Sequence, residues 1–129
     1  MSIQVDWDDA GKTLICVTFN GPYSWPEYDA VTDQIADMMK SSMHSVDVII
    51  MLDKNTPPPQ GDAMQHFRRT QNAMPGNLNL LVTVGAANAF TRILFATLIK
   101  VRRIKVNSYL AGTEEEARAI IAQHRQHHP

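Results

Sequence analysis

The alternation of apolar and polar residues at the start of the chain predicts a β-hairpin. Residues 3–7 alternate apolar with polar side chains, as in a half-buried strand. Residues 8–12 form a turn in which Gly11 is available for a positive φ. Residues 13–19 are rich in β-forming side chains. The two segments are therefore expected to pair with each other.

Helical and strand patterns then alternate to the end of the chain. Ser24 followed by Pro26 and Glu27 has the form of a capping box, and an apolar stripe with helical spacing follows it through Met39. Residues 46–52 are almost continuously apolar, as in a strand buried on both faces. A helix capped by Asp62 comes next. The remaining predictions are strands over 78–84 and 105–110, a helix over about 89–101, and a C-terminal helix that Thr113 and Glu116 cap.

The predicted element order is ββαβαβαβα. Strands that are joined through helices are expected to be parallel, so the sheet should be mixed, mostly parallel, with an antiparallel hairpin at its N-terminal side. Residues 1–129 are the usual length of one domain, and no linker divides them. The fold class is therefore a single α/β domain.

Composition narrows the class of protein further. The chain is 44% hydrophobic and 19% charged, which is ordinary for a globular domain. It has no apolar run long enough for a membrane span and no signal-peptide pattern at its start. Its single cysteine, Cys16, cannot form an internal disulfide and agrees with a reducing compartment. A cytoplasmic protein is expected.

The element order resembles the STAS domain of bacterial anti-sigma-factor antagonists and sulphate-transporter tails. The hairpin, the strand over 46–52 with its loop, the apolar helix after Gly85 and the stretch from Ser108 to Ala117 carry this resemblance. That last stretch is similar to the family's final strand, followed by Thr-x-Glu-Glu-Ala. The chain also looks like divergent bacterial STAS-like proteins with a CRAL-TRIO-type, lipid-transfer-like shape. The resemblance implies a regulatory module that binds proteins.

One departure from that family concerns its phosphorylated segment. Phosphorylated antagonists carry an Asp-Ser-Ser-Gly-like sequence after the third strand. This chain has Asp53, Lys54, Asn55 and Thr56 there, followed by three prolines. Thr56 is the only hydroxyl nearby, so the usual phosphorylated serine is not expected.

The carboxyl ends of the parallel strands are the expected location of a binding site, because ligands of open α/β sheets gather there. The loop after the second strand should lie at the same edge and contains two aromatic residues, which could be exposed anchors or a hydrophobic staple on the first helix. The candidate binding residues at this edge are Tyr23, Trp25, Asp53, Lys54, Asn55, Thr56 and Asn88.

The helix predicted over about 89–101 is apolar around much of its circumference. Phe95 and Ile99 extend its apolar surface beyond a single stripe. Such a helix is covered on more than one side, by the rest of the monomer, by a second subunit or other protein, or by an apolar ligand. Phe95 and Ile99 are therefore candidate binding residues, and a homodimer is predicted.

The cysteine, histidine and aspartate residues outside this candidate site are better explained by structural roles than by catalysis or metal binding. Cys16, in the middle of a strand, is expected to be a small core residue. His66 is expected near the surface, and the C-terminal histidines lack a fixed metal-binding geometry. Asp8 and Asp9 fit solvated turn residues better than a catalytic pair. The basic residues between Arg92 and Lys105 are not interleaved with the aromatic residues that single-strand binders use, so no nucleic-acid partner is predicted. No metal and no cofactor are predicted either.

Three functions are compatible with these patterns. The first is a non-enzymatic regulatory or protein-interaction module, as the resemblance implies. The second is a carrier or sensor that holds a small apolar or amphipathic ligand between the helix over 89–101 and the sheet. The third is an enzyme, which ranks last because no nucleophile and base can be paired.

Overall fold

A computed structural model describes residues 2–53, 59–85 and 107–127. These residues form one α/β domain in which three helices pack on a five-stranded sheet. The helix predicted over 89–101 lies outside the described residues. The strands are β1 (Ile3–Trp7), β2 (Leu14–Phe19), β3 (Val46–Met51), β4 (Leu78–Val84) and β5 (Asn107–Ala111). The helices are α1 (Trp25–Lys40), α2 (Ala63–Ala73) and α3 (Glu114–His127).

The strands lie in the sheet in the same order as in the chain. β1 is antiparallel to β2, and every other neighbouring pair is parallel. The predicted mixed sheet with an antiparallel hairpin is confirmed. The last strand was predicted over 105–110, whereas β5 is described from Asn107 and continues to Ala111, whose backbone carbonyl accepts a hydrogen bond from Gly85.

Local sequence signals account for how two helices begin. The Ser24 side chain accepts a hydrogen bond from the Glu27 amide, as predicted for an N-cap. The Glu27 carboxylate accepts bonds from the amides of Ser2 and Ile3, which attaches the start of β1 to α1. At α3 the Thr113 hydroxyl accepts from the Glu116 amide.

The sheet separates two apolar layers. On one face, α1 packs on β1, β2 and β3 through side chains such as Val31, Ile35 and Met39. The same face carries α2, which packs beside α1. On the other face, Ala117 and Ile121 of α3 pack on residues of β2, β3, β4 and β5. The sheet is thus apolar on both faces, which accounts for the nearly continuous apolar runs of its central strands.

Candidate functional site

The loops that follow β2 and β3 meet at one edge of the sheet. The indole Nε1 of Trp25, in the first turn of α1, donates a hydrogen bond of 3.0 Å to the backbone carbonyl of Gln60. Gly61 lies under the same ring, where a Cβ would be 3.4 Å from Nε1. The N-terminal ends of α1 and α2 are therefore held together at the edge where the parallel strands end.

The two aromatic residues of the first loop pack inward. Trp25 is buried, so it is not an exposed anchor, and Tyr23 is half-buried. Tyr23 immediately precedes the N-cap, and its ring lies 6.5 Å from that of Tyr28, one turn into α1, in a stacked orientation. This is the geometry of a hydrophobic staple, the second of the two roles considered for these residues.

Sequence reasoning did not identify the contact between Trp25 and His66. The two rings are parallel, with an interplanar angle of 3° and a centroid distance of 4.4 Å. His66 Nδ1 lies 3.0 Å from one carboxylate oxygen of Asp29 and 3.1 Å from the other. The carboxylate fixes the orientation of the ring, which is half-buried between α1 and α2.

Arg69 adds a second polar link between α1 and α2. Its Nη2 lies 3.0 Å from Asp33 Oδ2, and its Nη1 lies 3.8 Å from Asp29 Oδ1. No local sequence pattern indicates these pairs, because the partners lie on different helices and are separated by 36 or more residues. The contacts attach α2 to α1.

The phenol of Tyr28, a half-buried residue of α1, is also bonded to α2. Thr70 Oγ1 donates a 2.8 Å hydrogen bond to the Tyr28 hydroxyl. Burial raises the pKa of Tyr28 to about 12. The phenol is therefore neutral at physiological pH and acts as an anchor between the helices.

The remaining candidates are only partly within the described residues. Asp53 follows β3 and is half-buried. Lys54, Asn55, Thr56, Asn88, Phe95 and Ile99 lie outside the described residues. Gly85 marks the end of β4 with a φ of +85°, and a Cβ there would lie 2.8 Å from the carbonyl oxygen of Leu52. The backbones of the β3 and β4 ends therefore approach closely at a position that requires glycine.

Cys16 belongs to a second polar group, on the face that α3 covers. It is half-buried and packs against that apolar layer, while its Sγ lies 3.7 Å from Asp8 Oδ1 and 3.8 Å from Arg118 Nη2. Burial, and then the neighbouring Asp8 carboxylate, raise the pKa of Cys16 to about 11. The thiol is thus protonated at neutral pH, which is unfavourable for a nucleophile.

The aspartates of the β1–β2 turn serve separate contacts. The bonds from Arg118 hold the pKa of Asp8 below its usual value. Asp9 accepts bonds from the Thr13 amide and hydroxyl and from the Leu14 amide, and the Thr13 hydroxyl is the main cause that lowers its pKa. Asp9 therefore acts as a turn residue, and Asp8 forms an ion pair with α3.

Among residues 2–53, 59–85 and 107–127, two buried side-chain atoms have no hydrogen-bond partner. The Thr83 side chain is almost fully buried, with 1% of the residue exposed, and its Oγ1 is unpaired, as is Oε1 of Gln71. Thr83 alternates with the β4 residues that face α3, so it faces the layer that contains α1 and α2. Buried polar atoms are nearly always satisfied, so these two are exceptions within the part of the chain that the structure describes.

Within residues 2–53, 59–85 and 107–127, no three His, Cys, Asp or Glu side chains come together in a way that could hold a metal ion. None of the helices in those ranges has the length and apolar character needed to cross a bilayer. Comparison of the chain with protein-family models, curated proteins and solved structures finds no match.

Proposed function

We propose that this chain is a non-enzymatic regulatory or protein-interaction module of STAS-like type that lacks the usual phosphorylated serine. The observation that carries the proposal is the order of the elements. A hairpin opens the sheet, each later strand lies beside its predecessor, and α3 packs on the face opposite α1 and α2. That arrangement agrees with the family resemblance of the sequence.

The state of the reactive side chains also supports a binding role. The phenol of Tyr28 and the thiol of Cys16 have raised pKa values because they are buried. The carboxylate of Asp29 is paired with His66, and that of Asp8 is paired with Arg118. These groups stabilise contacts between elements, which is the role of a scaffold for an interaction surface.

The surface to test is the edge where α1 and α2 begin. Gln60 is exposed, and only its backbone carbonyl bonds to Trp25. A photo-crosslinking residue can therefore replace Gln60 without loss of that hydrogen bond. The matched control carries the same photo-crosslinking residue in place of Met43. Met43 is 100% exposed and lies in the loop before β3, at the end of the sheet opposite to Gln60.

Irradiation of cells from the native host should give discrete protein adducts with the probe at Gln60 and none with the probe at Met43. Mass spectrometry of the adducts identifies the partner. The same adducts from both positions, or none from Gln60 together with a turnover activity of the purified chain, would contradict the proposal.

A second candidate function is a carrier or sensor of a small amphipathic ligand. The observation that favours it is the pair of unsatisfied buried atoms, Thr83 Oγ1 and Gln71 Oε1. Gln71 lies one turn after Phe67 in α2, so the two side chains share one side of the helix. A ligand with a polar head could satisfy such atoms while its apolar part remains buried.

Native mass spectrometry of the purified chain tests the carrier. A bound small molecule should accompany the wild-type protein and be lost in Thr83→Val, which keeps the β-branched shape and removes the hydroxyl. Thr18→Val, at a half-buried position of β2, is the control and should retain the molecule. If the protein carries nothing and Thr83→Val is more stable than wild type, the hydroxyl is simply unsatisfied and the carrier function is excluded.

A further inference from the structure

Of the three helices that the structure describes, α2 is the least buried. α1 buries side chains such as Trp25 and Met39, and α3 buries Ala117 and Ile121. No residue of α2 is fully buried. Because the packing of an apolar face provides most of the stability of a helix in a protein, α2 is held less strongly than the other two helices.

The ion pairs between α2 and α1 are partly exposed. The pair of His66 with Asp29 leaves 22% of each side chain exposed, and the pair of Arg69 with Asp33 leaves 45% and 54% exposed. Ion pairs that remain in contact with water contribute little to stability. These contacts therefore fix the orientation of α2 on α1 without making its attachment strong.

α2 covers the aromatic residues at the start of α1. The imidazole of His66 is stacked on Trp25 at a centroid distance of 4.4 Å, and the ring of Phe67 lies 6.1 Å from Trp25 and 5.9 Å from Tyr28. Trp25 is only 7% exposed in this arrangement. Release of α2 would uncover the rings of Trp25 and Tyr28 next to the half-buried Tyr23. Aromatic side chains of this kind often provide much of the binding energy of an interface.

The pairing of the strands on either side of α2 is direct. α2 connects β3 to β4 along the chain, and these strands are hydrogen-bonded to each other from Val46 and Leu78 to Met51 and Val84. The apolar layers that α1 and α3 form with the sheet lie on its two faces. Loss of the contacts between α2 and α1 would leave these interactions in place, which is the condition for a local opening.

We propose that α2 is a releasable cover of the aromatic surface at the start of α1. It detaches as a unit while the sheet, α1 and α3 stay folded, and its release exposes Trp25 and Tyr28 to a partner. This inference rests on the proposed interaction function, because it states how that surface is regulated. The partner binds the open form, which is the minor population of the free protein.

Native-state hydrogen exchange of the full chain, followed by mass spectrometry, measures the opening of α2. After correction for intrinsic rates, the amides of residues 63–73 should exchange at least about tenfold faster than those of β3 and β4. Arg125→Met distinguishes local from global opening, because it breaks an ion pair between α3 and β3 that release of α2 leaves intact. It should accelerate exchange in β3 and β4 and leave that of α2 unchanged. If residues 63–73 are as protected as β3, or accelerate with it in this variant, the inference is overturned.

A disulfide between α1 and α2 tests what the opening controls. The hydroxyl oxygens of Thr32 and Thr70 lie 3.4 Å apart, so Thr32→Cys and Thr70→Cys, in a Cys16→Ala background, place two thiols where a bond can lock α2. With the cross-linking residue at Gln60, the oxidised protein in an extract of host cells should give at least about tenfold fewer adducts than the reduced protein. The reduced form is the matched control, because it has the same sequence.

Equal adducts from the oxidised and reduced forms would overturn the regulatory role of α2. Absence of adducts from both forms would instead contradict the proposed interaction function. The exchange experiment is independent of any partner, so its failure would leave the interaction function open to the cross-linking test at Gln60.

Discussion

Arg125 Nη2 lies 2.7 Å from Oδ2 of Asp47, a carboxylate on β3 whose side chain is only 5% exposed. Arg125 Nε also donates to that oxygen, and Asn79 donates to the other. The same guanidinium bonds the carbonyl of Thr13. The charge of a buried carboxylate at the start of β3 is therefore balanced by an arginine in the last turn of α3. This ion pair attaches the C-terminal end of α3 to the sheet.

Removal of Arg125 should destabilise the protein substantially. Arg125→Met leaves the Asp47 carboxylate buried without its counter-charge, and a loss of roughly 2 kcal/mol is expected, since half-exposure of the arginine reduces the full cost of breaking a buried pair. Arg118→Met is the matched control. It breaks more exposed ion pairs, with Asp8 and Glu114, and should cost less than about 1 kcal/mol.

Urea unfolding of both variants measures these two losses. The double variant Asp47→Asn, Arg125→Met should recover part of the stability, because it removes the unpaired charge. Equal losses for Arg125→Met and Arg118→Met would show that burial of Asp47 carries no special cost.

Gly85→Ala should destabilise the chain through the backbone. The φ of +85° is unfavourable for alanine, and the new Cβ would lie 2.8 Å from the carbonyl oxygen of Leu52. A loss of about 2 kcal/mol or more is expected. Gly76→Ala is the control, because a Cβ there has no neighbour within 4 Å, and it should be neutral or slightly stabilising. Thermal unfolding distinguishes the two, and a neutral Gly85→Ala would contradict the described approach of β3 and β4.

Tyr28 should make stability decrease at high pH. Its pKa in the folded protein is about 12, above the usual value of 10.0, because the phenol is buried. The folded state therefore retains the proton more strongly than the unfolded state. The contribution of the buried, protonated Tyr28 to the free energy of unfolding is fully present below pH 10.0 and is lost as the pH rises to about 12.

A difference titration between wild type and Tyr28→Phe, followed by phenolate absorbance, measures this pKa directly. Its midpoint should lie near 12, or coincide with unfolding if the protein unfolds first. A midpoint at 10.0 in the folded protein would show that the ring is solvated.

Cys16 should react slowly with thiol reagents at neutral pH. Its pKa of about 11 leaves almost no thiolate there. The pH dependence of the reaction with a disulfide reagent gives this pKa. Asp8→Asn should shift the profile to lower pH, because the Asp8 carboxylate raises the thiol pKa, whereas Arg118→Gln should not, since Arg118 lowers it. A wild-type midpoint at the ordinary value of 9.0 would refute the burial of the thiol.

The parts of the fold that local sequence determines could be predicted. The hairpin, the Ser24 cap and the apolar strand β3 all follow from neighbouring residues. The ion pair of Asp47 could not be predicted from neighbouring residues, because its partner, Arg125, lies 78 residues later in the chain. His66 was expected near the surface, and the sequence indicated no partner for it in particular because Asp29 lies 37 residues earlier. Its stacking on Trp25 depends on how α1 and α2 pack, which no spacing within either helix specifies.

The position of α3 in the chain has a consequence for synthesis on the ribosome. Each strand pairs with one that has already been made, so the sheet can assemble as the chain emerges. The helix that covers Leu14, Ile49 and Leu80 on one face is made after all five strands. A nascent chain therefore exposes this apolar surface until α3 has left the exit tunnel, and chaperones that recognise such surfaces would act on it during that interval.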